Sequence, residues 1–294
     1  MRSQTFGVEI EMTGVTRKKA ARIIAEHFGG SRVEHRDSYD AYFAEDRQGR
    51  VWKAVRDGSI RTQRKDGVYA DSNYSTEVVT PILRYEDIET LQEIIRKLRK
   101  AGAVVNESCG IHIHIGADGF TAKKLRNLTN LMASKEDILF DALKIMPCRR
   151  RYCQKTDQRF LKKVNESRLS SMEEFEDIWY SQTPGESRRN HYNDSRYHML
   201  NLHATFTKGT VEFRCFNSTL HAGKIKAYIQ FCLAFAQKAK EIRSARPQKT
   251  ETDNPKYTFR CFLLRLGLIG DEFKTCRLHM LANLEGNSAW RQAG

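Results

Sequence analysis

Three short stretches, far apart in the chain, alternate between apolar residues and residues that carry chemistry, and this pattern most restricts the fold. In the first, Phe6, Val8, Ile10 and Met12 alternate with Gly7, Glu9, Glu11 and Thr13. In the second, Ile111, Ile113 and Ile115 alternate with Gly110, His112, His114 and Gly116. In the third, Val211, Phe213 and Cys215 alternate with Glu212, Arg214 and Phe216. A period of two belongs to β-strands, whose side chains point to opposite faces in turn. Each strand therefore has an apolar face for helices to cover and a polar face bearing two reactive groups.

The rest of the chain supplies a setting for those strands. Residues 5–13 are predicted as a strand, followed by a helix that Thr16 caps and Gly29-Gly30 ends after His27. Residues 39–44 and 51–56 form an expected hairpin around Gln48-Gly49, and residues 75–80 a strand stopped by Pro81. Helices are expected over residues 85–101, 121–144 and 222–245. A basic insertion with helical pieces, residues 146–189, contains the run Arg149-Arg150-Arg151. Residues 246–255 hold two of the five prolines and read as a linker to a small helical tail ending at Gly294. The organisation implied is one catalytic domain over 1–245 and a C-terminal tail over 246–294. Hairpins interleaved with helices predict an α+β fold, a mostly antiparallel sheet with helices packed on one face.

A second hairpin is expected between residues 198–206 and 210–216, with Lys208-Gly209 at its turn. That register sets Thr205 opposite Glu212 and His203 opposite Arg214, and pairs Leu202, Ala204 and Phe206 with Cys215, Phe213 and Val211. Apolar residues then meet apolar ones. Asn201 and His203 would join Glu212 and Arg214 on one surface.

Gathering Glu9, Glu11, Glu77, His112, His114 and Glu212 is costly without compensation, because clustered carboxylates repel and raise one another's pKa. A divalent cation resolves the conflict. Several carboxylates with one imidazole suit magnesium or manganese better than zinc, which favours nitrogen and sulfur. Arg214 on the same face suits a phosphoryl oxygen.

Composition limits the remaining choices. No apolar run reaches the ~18–20 residues that span a membrane, and the first twelve residues lack the apolar core of a secretory signal. The seven cysteines are scattered and never spaced as Cys-x-x-Cys, which fits free thiols in the cytoplasm. The net charge is +14, from 50 Lys and Arg against 36 Asp and Glu. Such an excess suits nucleotide phosphates, an acidic peptide or protein tail, or nucleic acid. The aromatics of the basic insertion, Tyr152, Phe160, Phe175, Trp179 and Tyr180, follow helical spacing and are expected in a core rather than stacked on bases. A metal-dependent hydrolase and a basic nucleic-acid-binding protein stand as the alternatives.

Taken in order, the motifs resemble the amidoligase family of the glutamine synthetase and glutamate–cysteine ligase superfamily. They are Phe6-Gly7-Val8-Glu9-Ile10-Glu11, Asp57-Gly58-Ser59, Glu77-Val78-Val79-Thr80-Pro81 and Cys109-Gly110-Ile111-His112-Ile113-His114. Then follow Arg149-Arg150 with Tyr152-Cys153, Arg196-Tyr197 before Leu200-Asn201-Leu202, and Thr210-Val211-Glu212-Phe213-Arg214. The resemblance covers about residues 5–240. It implies a curved, glutamine synthetase-like antiparallel catalytic domain using ATP and magnesium or manganese. By the same resemblance Glu9, Glu11, Glu77, His112 and Glu212 would ligate metal, and His114, Arg149, Arg150 and Asn201 would face the nucleotide. Arg214 and Arg196 would stabilise the transferring phosphoryl group, and Asp57 would sit near the amine. The implied reaction joins a carboxylate to an amine through an acyl-phosphate. Two departures stand out: only one glutamate is evident around Glu77, and the tail after Arg246 has no counterpart.

Overall fold

The computed structural model of the chain describes residues 1–36 and 40–290. Among them the fold is α+β, with eight strands in antiparallel pairing that do not close into a barrel. The strands are β1 (Phe6–Met12), β2 (Glu34–Arg36), β3 (Ala41–Glu45), β4 (Val51–Val55), β5 (Thr76–Val79), β6 (Gly110–Gly116), β7 (Leu200–Asn201) and β8 (Thr210–Asn217). The α-helices are α1 (Arg17–His27), α2 (Ile88–Lys100), α3 (Ala122–Leu143), α4 (Gln158–Glu166), α5 (Met172–Tyr180), α6 (His203–Lys208), α7 (Ala222–Glu241), α8 (Pro255–Arg265) and α9 (Lys274–Leu281). None is long and apolar enough to cross a membrane.

The chain divides into two compact units. An N-terminal unit holds residues 2–113 and 216–226, and a C-terminal unit holds residue 1, 114–215 and 227–294. Strands β6 and β8 run along the chain from one into the other.

In the N-terminal unit the strand order is β2-β3-β4-β5-β1-β6. Glu11 lies opposite Glu77 in the β1–β5 pair, and Val55 of β4 lies opposite Glu77 on its other side. Helix α1 packs against β3, β4 and α2. Its N-cap Thr16 accepts from the Lys19 N–H, satisfying one of the open donors of the first turn. Ile10, Ile24, Ala54, Val78, Leu91, Ile94 and Ile95 form the dry core between sheet and helices. Arg17, also buried, donates to the carbonyls of Asp40, Ser72 and Ser75 at 2.9, 2.6 and 2.7 Å, tying α1 to the loop before β5. The end of β1 is pinned by Gly14, where φ is +79° and an added Cβ would lie 2.4 Å from the Gly102 carbonyl. Only glycine fits there.

In the C-terminal unit the order is β6-β8-β7. The insertion packs its aromatics inward: Phe160, Phe175, Trp179 and Tyr180 are buried, with Phe160 and Trp179 edge to face at 5.0 Å. Residues 246–254 are irregular, yet the Thr250 N–H reaches the Ser134 carbonyl at 3.1 Å. Helix α8 lays Phe259 and Phe262 against Phe231 and Phe235 of α7, with ring centroids 6.2 and 5.8 Å apart.

Two sequence expectations need correction. The second hairpin is absent: residues 203–208 form helix α6, and Gly209, at φ +69°, caps its C-terminus instead of turning a hairpin. The short strand β7 pairs Leu200 with Phe213 and Asn201 with Glu212, a register shifted by four from the expected one. An even shift keeps side-chain faces unchanged, so Asn201 still shares a face with Glu212 while His203 leaves the sheet. In addition, the strand β2 was not anticipated. The expected strand start at Tyr39 lies outside the described residues, as does the end of the expected tail at Gly294.

Candidate metal centre

The site's side chains fall into one group in each unit. In the N-terminal unit, the alternation of β1 puts Glu9 and Glu11 on one face, and the β1–β5 register adds Glu77 beside Glu11. His112 projects from β6, with Nδ1 3.0 Å from Glu9 Oε2 and Nε2 3.8 Å from Glu11 Oε1. The Gly110 N–H donates to Glu11 Oε2 at 2.6 Å.

Two sets of three ligand residues result, Glu9–Glu77–His112 and Glu11–Asp57–Glu77. Within each, one ligand atom per residue lies within 4.8 Å of the others, and Glu77 belongs to both. Glu11 and His112 are buried, whereas Glu9, Glu77 and Asp57 are half-exposed, leaving one side open to a ligand. Asp57 is held from both directions: its N–H donates to Ser75 Oγ at 3.1 Å, and its carboxylate accepts the Ser59 N–H at 2.6 Å. Oxygen donors dominate both sets, with one imidazole between them. That donor chemistry fits magnesium or manganese.

In the C-terminal unit, β8 presents Thr210, Glu212 and Arg214 on one face. Glu212 accepts from Asn201 Nδ2 at 2.7 Å and from Arg214 Nη1 at 2.5 Å. Its Oε2 lies 3.9 Å from His114 Nε2, while His114 Nδ1 lies 2.9 Å from Thr210 Oγ1. Glu212, Arg214, Asn201 and His114 are all buried. Arg149, buried on the turn Pro147–Tyr152, donates from Nη2 to the Arg214 carbonyl at 3.2 Å. Burial pushes the Cys153 thiol up, and the nearby charges of Arg149, Arg214 and Arg150 pull it the other way. The charges of three guanidinium groups thus reach Cys153, although Arg150 itself is exposed.

Arg196 ends the one-turn helix Asp194–Arg196, donates to the His191 carbonyl at 2.8 Å, and sits over the Tyr192 and Tyr197 rings. Its charge reaches His203, whose pKa falls through burial first and Arg196 second, while Glu212 opposes the change.

Three participants escaped the sequence reading. Thr210 orients His114, and its place two residues before Glu212 on the strand could have revealed it. The Gly110 N–H that holds Glu11 carries no side-chain signal. Tyr180, pushed up to about 12 by burial, shares a 2.6 Å hydrogen bond with His203 Nδ1. The His203 N–H in turn donates to Asn201 Oδ1 at 2.9 Å, fixing the carboxamide whose other end holds Glu212. Only tertiary structure brings Tyr180 and His203 together.

The family described as "Putative amidoligase enzyme" matches residues 2–236 of the chain. No curated protein matches the chain.

Proposed function

Because this chain belongs to the amidoligase family, we propose that it is an ATP-dependent ligase that forms an amide or isopeptide bond through an acyl-phosphate. The observation that carries this reading is Glu77, shared by two adjacent oxygen-rich ligand sets. Glu9, Glu77 and His112 would hold one divalent cation, and Glu11, Glu77 and Asp57 would hold a second. Bound magnesium or manganese would neutralise phosphate charge and fix the phosphates for in-line transfer. Glu212, also a metal ligand by family resemblance, is held in one orientation by Asn201 and Arg214.

The remaining roles follow from charge and hydrogen-bonding capacity. Arg214, Arg149 and Arg150 are suited to phosphate oxygens, where the planar guanidinium makes paired bonds. Arg196 would assist at the transferring phosphoryl group, and His114, steadied by Thr210, would meet the nucleotide. Asp57 can alternatively receive the ammonium form of the amine, since the field that attracts a metal ion attracts that cation too.

The chemistry requires activation because hydroxide is a poor leaving group. The substrate carboxylate oxygen bonds to the γ-phosphorus as the bond to ADP breaks. The amine then attacks the acyl carbon, phosphate departs with the bonding electrons, and the new amide nitrogen loses a proton. No covalent bond to the protein is needed.

Hydroxylamine tests this without knowledge of the amine. Glutamate, aspartate, γ-glutamyl compounds and acidic peptides are each incubated with magnesium-ATP and hydroxylamine. A carboxylate substrate is expected to yield ADP, phosphate and a hydroxamate in equal amounts. Release of AMP and pyrophosphate would mean adenylation and overturn the acyl-phosphate.

A further inference from the structure

Within the C-terminal unit, away in sequence from the motifs above, lies a cavity of about 400 Å³. That volume falls within the roughly 300–1,000 Å³ typical of ligand pockets. It is walled by α3, the end of α7, the irregular segment after it, and α8. Five cationic residues line it, Lys135, Lys238, Arg246, Lys249 and Arg265, with no Asp or Glu. Leu131, Ile242, Phe262 and Leu266 supply an apolar floor.

Ordinary structural roles account for part of this charge. Lys238 and Arg265 occupy the last turns of α7 and α8, where the helix dipole favours cations. Lys249 pairs with Asp137 at 2.9 Å. The dipole does not explain Lys135, mid-helix in α3, or Arg246 on the irregular segment. Among the described residues, no ion pair joins Lys135, Lys238, Arg246 or Arg265 to a carboxylate. Lys135 instead contacts Thr250 Oγ1 and lies 5.2 Å from the Phe262 ring centroid. Burial, and then the charge of Arg265, lowers its pKa, so the cavity bears a cost for its cations. An anionic ligand would remove that cost.

We propose that this cavity binds an acidic peptide segment, with carboxylates meeting the rim cations and an apolar side chain entering the floor. The mixed lining selects this class of ligand. A small inorganic anion would leave the apolar floor unused. Single-stranded nucleic acid would need aromatic platforms for its bases, and the one ring present, Phe262, already carries Lys135.

The test uses the full chain and a fluorescein-labelled hexapeptide with two glutamates on each side of a Leu-Phe pair, read by fluorescence anisotropy. Nucleotide and divalent metal are omitted, so the outcome is separate from that of the ligation assay. Saturable binding is expected, together with its loss when glutamine replaces the four glutamates. Replacing Leu-Phe by Gly-Gly should weaken binding by roughly tenfold, the worth of burying such side chains. Arg246→Glu with Arg265→Glu reverses two exposed charges and should weaken binding by roughly tenfold or more, with an unchanged melting temperature as the check on folding. Equal binding by the Gly-Gly peptide, or undiminished binding by the folded double variant, would overturn the site. Displacement of the peptide by tripolyphosphate or oligouridylate at lower concentration than unlabelled peptide would overturn the ligand class.

Discussion

In the N-terminal unit Glu9, Glu11, Glu77 and Asp57 are grouped with one another and an imidazole, whereas in the C-terminal unit Glu212 is held by a guanidinium and a carboxamide. Both arrangements bury carboxylate on a strand, but they answer different demands. Two carboxylates whose oxygens lie within 4.8 Å of each other repel by at least ~3 kcal/mol at an effective dielectric near 20, before solvent screening. A bound divalent cation would offset that repulsion. Glu212 instead has its charge matched by Arg214 and its direction fixed by Asn201. One unit groups carboxylates with one another, and the other pairs a carboxylate with fixed donors.

The sharpest way to break this contrast is Glu77→Gln, because Glu77 belongs to both ligand sets. The variant should melt higher than the wild type without metal, since one repelling charge is gone. It should lose the wild type's gain in melting temperature from magnesium or manganese, and hydroxamate formation should fall by ~10³-fold or more. A wild type indifferent to both ions but stabilised by zinc would favour a hydrolase.

The next test addresses the C-terminal unit. Arg214→Lys keeps the charge but loses the planar fork, so turnover should fall by ~10²-fold while nucleotide affinity stays within about tenfold. Metal-induced stabilisation should persist, unlike in Glu77→Gln. Full turnover in Arg214→Lys would reduce the residue to a structural ion-pair partner of Glu212.

A smaller effect is expected at Asn201, which the structure makes an aiming residue. Asn201→Ala removes the Nδ2–H donor from buried Glu212 and should cost about 1–3 kcal/mol of stability by thermal or urea unfolding. A loss no larger than that of an exposed Asn→Ala change would show that Glu212 needs no such partner.

What the sequence disclosed and what it hid follow from the same physics. Strict alternation made β1, β6 and β8 legible, and with them the shared faces of Glu9 and Glu11, His112 and His114, Glu212 and Arg214. Residues 203–208, His-Ala-Thr-Phe-Thr-Lys, alternate as well, yet they form α6. That helix is fixed by tertiary contacts, the Asn201 carboxamide on the His203 N–H and the Tyr180 hydroxyl on its ring. Glycine serves a hairpin turn and a left-handed helix cap equally well, so Gly209 could not decide between them. Asn201 reached the expected face because the register error was four residues, an even number. The short strand β2, Glu-His-Arg, is exposed throughout and shows no apolar period. Asp57 joins the carboxylates through loop geometry and Gly110 through its backbone N–H, and neither leaves a periodic side-chain trace.

The smallest effect separates the units by pH. His203 is buried, and its pKa lies below the usual imidazole value of 6.5 through burial first and the Arg196 charge second. Above the unfolded-state pKa both states hold it neutral, so its contribution is fully present at pH 7.5. As pH falls below about 6.5, the unfolded chain takes up the proton first and stability is lost until the folded pKa is passed. His198, lowered chiefly by burial, adds to the same trend. The melting temperature should therefore drop between pH 7 and pH 5, less steeply in His203→Gln than in the wild type. Because His203 lies in the C-terminal unit, the same slope should survive in Glu77→Gln, measured without metal. A slope that His203→Gln leaves unchanged would mean that His203 is not the group titrating between pH 7 and pH 5.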